Sequence, residues 1–156
     1  MSYARVYLPA LLLFWAGLLF GVSFLATPVK FQAPSLSLAV GVDVGRYTFA
    51  WLNRIECVAA VILLALAFAA PWKAWLRAGA TAVGLIVALE TFWLLPVLDE
   101  RAEIVIQGGE APPSRLHQIY IALDLAELIL LLALGFATLY AAARASGRPA
   151  AKVTTT

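Results

Sequence analysis

The sequence predicts an all-α fold: a polytopic four-helix transmembrane bundle, built as two duplicated helical hairpins. Three observations predict it. Of the 156 residues, 63% are hydrophobic and only 13% are charged, with a mean hydropathy of +0.92. The apolar residues gather into four windows, each reaching the roughly 20 residues that a spanning helix needs. A spaced set of polar and aromatic residues also recurs between the two halves of the chain, as an internal repeat would require. A soluble domain of this length has no means of solvating so much apolar surface, so the bilayer is the expected solvent. The formal charge of +2 is too small and too scattered for a nucleic-acid partner.

The expected spans cover about 7–27, 46–70, 76–98 and 116–143, giving one transmembrane domain over 1–145 and a disordered tail over 146–156. The first apolar run exceeds the roughly 7–15 residues of a signal-peptide core. Phe24 also spoils the small-x-small pattern for cleavage after Ala26, so the segment reads as a retained span. Gly17 and Gly21 lie at the small-xxx-small spacing of a packing seam. The helix is expected to end near Thr27-Pro28, because proline restricts the residue before it.

The outer connection, 29–44, has room for a re-entrant or interfacial turn around Pro34. The second helix is expected to begin at Asp43 or Gly45 and to stop at Pro71. Trp72 and Trp75, beside Lys73 and Arg77, make an interfacial belt. The third helix is expected to end around Pro96. Gly108-Gly109 and Pro112-Pro113 then mark a second outer loop, with Ser114 as N-cap of the fourth helix. The Pro/Ala/Thr tail lacks any packing pattern.

Lys73, Arg77, Arg5, Arg144, Arg148 and Lys152 sit in segments without acids, whereas the opposite connections mix both signs. That bias places both termini on the cytoplasmic side.

The chemistry gathers on four acids. Glu90 interrupts the apolar run 82–98, and a carboxylate at such depth must find a partner, reach water or take up a proton. Glu56, Asp124 and Glu127 lie on two other spans. At about 100° per residue, Arg46, Asn53, Glu56 and Cys57 fall on one stripe of the second helix. His117, Tyr120, Asp124 and Glu127 fall on one stripe of the fourth. The same rise places the acids in a common layer roughly 12–15 Å below the outer helix ends.

The repeat runs through these residues. Phe24-Leu-Ala-Thr-Pro28-Val29 matches Phe92-Trp-Leu-Leu-Pro96-Val97, and Arg46, Phe49, Leu52, Asn53 and Glu56 match His117, Tyr120, Leu123, Asp124 and Glu127. True duplication makes helices one–two and three–four parallel repeats about an axis along the membrane normal.

Exclusions are firmer. A lone cysteine, Cys57, leaves no internal disulfide, and a lone histidine, His117, cannot supply a bis-histidine haem within one chain. No Glu-x-x-His element suggests a di-metal site, and no catalytic residue, metal or cofactor is implied. Arg54 is expected either to snorkel to the outer interface or to pair with Glu90. Cys57 reads as packing.

The layout resembles a family of small four-span bacterial inner-membrane proteins grouped as a domain of unknown function. The resemblance rests on Gly17 and on Phe24-Leu-Ala-Thr-Pro28-Val29-Lys30-Phe31, and it covers about the first 140 residues. It carries no activity, so no residue role transfers from it.

Three readings follow. The foremost is a carboxylate-rich site in the outer half of the bilayer, formed by Glu90, Glu56, Asp124, Glu127, Asn53, His117 and Arg46, that binds or transports a proton or small cation. The second is a membrane enzyme acting on a lipophilic substrate, with acids and His117 in proton transfer; the balance leans away from an enzyme. The third is an accessory subunit in which Arg46, His117 and Asn53 satisfy the acids and merely lock the bundle. The partners expected are the lipid bilayer and a proton, small cation or lipophilic ligand, with a homo-oligomer left open.

Overall fold

A computed structural model describes residues 2–69 and 73–146. Four helical rods account for nearly all of them. The first, α1, joins Ser2–Leu19, a π-helical segment Phe20–Ala26 and Thr27–Lys30. The second, α2, is Leu38–Ala69. The third, α3, joins Ala74–Leu89, a π-helical segment Glu90–Leu94 and Leu95–Ile106. The fourth, α4, is Leu116–Ser146. All four are long and apolar enough to cross a bilayer, so the chain is a multi-pass membrane protein by length and composition. The expected stop at Pro71, the belt residue Trp72 and the tail from 147 onward lie outside the described residues.

An even number of spans puts the described chain ends, Ser2 and Ser146, at one end of the bundle. The connections after α1 and α3 form the opposite, distal end. Helix α1 packs chiefly on α4 and α2 on α3, with α1–α2 and α3–α4 contacts closing the ring. The core is a column of Leu8, Leu12, Trp15 and Leu19 from α1, Leu76, Ala80, Val83 and Val87 from α3, and Leu63 and Leu131 from the other two. Large apolar side chains also cover the outside; Phe92 is 83% exposed. Such a surface suits acyl chains, not water.

The helices outrun the expected boundaries, and the prolines explain why. Neither Pro28 nor Pro96 ends its helix. The Thr27 N–H bonds the Val22 carbonyl, and the Leu95 N–H bonds the Glu90 carbonyl, each five residues back. This wider π turn carries the backbone into a fresh α-helical segment, where proline occupies the first turn and its missing N–H costs little. At the start of α2, the Ser37 hydroxyl accepts the Val40 N–H at 3.3 Å, capping the helix earlier than Asp43 or Gly45. The connection between α1 and α2 is correspondingly short. Helix α3 ends where Gly108 takes φ 83° and Gly109 N–H bonds the Ile104 carbonyl at 2.9 Å, a Schellman closure. Ser114 accepts the Leu116 N–H at 3.1 Å, as a cap for α4 should.

Gly17 and Gly21 do not make a seam within the chain. A Cβ built on either meets nothing within 4 Å, because α1 turns its Leu8–Leu12–Trp15–Leu19 stripe inward instead. The close approach falls at Gly135, where a Cβ would come within 2.7 Å of a Leu13 methyl. We expect Gly135→Ile to force α1 and α4 apart and to cost about 1–3 kcal/mol, read as lower resistance to unfolding in mixed micelles; no change would mean the two helices do not pack there.

Candidate functional site

The four acids meet. Glu56 is 1% exposed, Glu90 0%, Asp124 1% and Glu127 0%, so none reaches lipid or bulk water. They interact electrostatically as one group: Glu127 feels Glu56, Glu90 and Asp124, and Glu90 feels Asp124 and Glu56. The carboxyls of Glu90 and Asp124 stand close enough to hydrogen-bond when one of them carries a proton.

All four helices contribute. From α1, the Trp15 indole Nε1 donates to Glu56 Oε1 at 3.3 Å, and Ser23 stands beside Asp124. Glu90 opens the π segment of α3, so the turn that passes Pro96 also sets its carboxyl position.

Hydrogen bonding divides this layer into two unlike halves. On one side Asn53 Nδ2 donates to Thr91 Oγ1 at 3.0 Å, and Thr91 donates to the Val87 carbonyl at 2.6 Å. Cys57 Sγ rests 3.4 Å from Thr91 Oγ1, a packing thiol within a satisfied network. The other side is short of donors. Among the described residues, Glu56 Oε2, both Glu90 oxygens, Asp124 Oδ1, both Glu127 oxygens and the Ser23 hydroxyl find no hydrogen-bond partner. An orphaned buried acceptor carries a large desolvation cost.

The basic residues expected to satisfy the acids are elsewhere. Arg46 pairs with Asp43 and Asp99 at 3.5 Å each and with Glu103, joining α2 to α3 at the distal end. Its azimuth matches the acid stripe, but ten residues of helix separate it from Glu56, about 15 Å of rise. The early start of α2 and late end of α3 create this overhang. Measured along α4 the acids lie at the expected depth; along α2 and α3 they lie near mid-helix. His117 is exposed. Arg54 is exposed and stacks on Trp51 at 4.7 Å, away from Glu90. We expect Arg46→Gln to lower thermal stability modestly, and less at high ionic strength, because its acid partners are exposed while Arg46 itself is partly buried; a large, salt-insensitive loss would contradict this placement.

Two cavities open toward the distal end. The larger, about 1010 Å³, runs between α1, α2 and α3 down to Asn53, Cys57 and Thr91. The smaller, about 310 Å³, is bounded by Ser23, Phe49, His117, Tyr120 and Asp124. Phe49 and Tyr120 meet edge to face at 5.3 Å and border both cavities. Asp124 thus joins the buried acids to a space that His117 reaches from outside.

Sequence reasoning missed Trp15, Ser23 and Thr91; Tyr120, on the polar stripe of the fourth helix, is buried. The indole N–H of Trp15 in an apolar span was a usable signal, since buried tryptophans find acceptors. Among the described residues, no group of three or more His, Cys, Asp or Glu side chains could hold a metal ion. No family model, curated protein or solved structure matches the chain, so the chemistry is argued from this geometry.

Proposed function

We propose that the chain is a multi-pass protein of a bacterial inner membrane, with both termini inside, that takes up and releases a proton at the Glu90–Asp124 carboxyl pair. The six buried carboxyl oxygens without donors carry this reading. Two adjacent carboxylates repel, and one shared proton turns the repulsion into a hydrogen bond. The small cavity beside Tyr120 supplies the route, and His117 at its mouth is placed to pass protons between water and Asp124. Among the described residues no three His, Cys, Asp or Glu side chains are grouped so as to hold a metal ion, and a proton needs no such set.

Duplication supports the same assignment. At an offset of 68, buried Leu8, Leu12, Trp15 and Leu19 of α1 correspond to buried Leu76, Ala80, Val83 and Val87 of α3. At an offset of 71, buried Asn53, Glu56, Ala60 and Leu63 of α2 correspond to buried Asp124, Glu127, Leu131 and Leu134 of α4. The π turns coincide too, and the principal α1–α4 contact maps onto α3–α2. Asn53–Thr91 becomes Asp124–Ser23 under this operation. The amide half is neutral and satisfied. Glu90, whose counterpart is Val22, loads the other half with charge. Proton binding is therefore assigned to the place where the repeat is broken.

Reconstitution in liposomes with an entrapped pH indicator tests this. Wild type is expected to dissipate an imposed pH gradient faster than empty vesicles, and replacing Na⁺ by K⁺ should not matter. Flux no greater than in protein-free vesicles, or flux that requires Na⁺, would overturn the proton assignment.

A further inference from the structure

We infer that the larger distal cavity binds an amphipathic anion, with its carboxylate or phosphate head at Lys30 and an alkyl chain along the apolar wall. None of the four buried acids borders this cavity, so the inference stands apart from proton exchange. Its volume of about 1010 Å³ is at the top of the range for small-molecule sites. Phe31, Phe49, Val58, Leu95, Leu98 and Val105 supply walls that suit an alkyl chain.

The charge lining is unbalanced toward the positive. Arg46 is matched by Asp43, Asp99 and Glu103. Lys30 has no such match among the described residues. Its ammonium lies over the Phe31 ring, 5.0 Å from the centroid, and is only half-exposed. Arg101 donates to the Pro112 carbonyl and Arg54 stacks on Trp51, so neither neutralises an acid. The absence of a side chain at Gly45 makes the seat for Lys30: a Cβ there would come within 2.7 Å of Nζ. A partly desolvated ammonium needs an anion, and an oxyanion hydrogen-bonded to it gains charge-assisted strength.

The same head chemistry is carried by a free fatty anion and by an anionic phospholipid. Binding of laurate, dodecyl phosphate and uncharged 1-dodecanol to the full chain in neutral detergent separates charge from tail. Both anions are expected to bind about tenfold or more tighter than dodecanol. Lys30→Gln should remove that preference, Lys30→Arg should keep it, and Gly45→Ala should weaken it by displacing the ammonium with every charge retained. Dodecanol binding should be equal in all variants, which also reports that they fold. Equal affinity for dodecanol and laurate in the wild type, or an anion preference that survives Lys30→Gln, would overturn the proposal. Nanodiscs distinguish the sources. A phosphatidylglycerol retained per chain and released by Lys30→Gln assigns the phospholipid; laurate binding undiminished by phosphatidylglycerol assigns the free anion.

Discussion

Trp15→Ala is expected to cost about 3–5 kcal/mol, the range for removing a buried tryptophan. The indole is 2% exposed and fills the centre of the bundle beside the acid layer. Lipid provides little hydrophobic drive between helices, so packing of this kind carries much of the association. The substitution opens a cavity and also strips Glu56 Oε1 of its donor. Trp15→Phe separates the two effects: it keeps most of the ring, loses the N–H, and should cost nearer 1–3 kcal/mol. Equilibrium unfolding in mixed micelles reads both. If Trp15→Ala unfolded like wild type, α1 would not be the packed wall described here.

Glu90→Gln is expected to move stability and function in opposite directions. Glutamine keeps the shape of the side chain, removes the ionisable group and offers an amide N–H to Asp124. Stability should rise by about 1–3 kcal/mol, the scale of an orphaned buried acceptor. Proton flux across liposomes should fall about 100-fold or more, the scale of losing a positioned proton-transfer group. A layer that only locks the helices predicts the reverse, because breaking a buried network destabilises. Lower stability with unchanged flux would therefore remove the functional reading and leave a structural one.

Much of the candidate site was legible because azimuth follows from helix geometry, whereas depth held along α4 and not along α2 and α3, whose ends overhang. Glu56, Glu90, Asp124 and Glu127 are separated along the chain yet meet, as the common polar stripe implied. Arg46 shows where this reasoning stops. Its azimuth was right and its height wrong, since height depends on which helix ends overhang. Pro28 and Pro96 misled for a related reason: a proline is a local signal for a helix end, whereas a π turn that absorbs it depends on the whole rod. Gly17 and Gly21 carry a packing motif, but the leucine stripe beside them took the interface.

By itself the sequence determined four apolar rods, an acid on three of them and the polar stripes, because composition and a 3.6-residue period are local properties. Only the tertiary structure decided which donors reach those acids. Arg46, Arg54 and His117 go elsewhere, Trp15 reaches Glu56, and Glu90 and Asp124 are left facing each other. Partner choice at a buried charge depends on distances of a few ångströms between separate helices, and no periodicity along one chain encodes them.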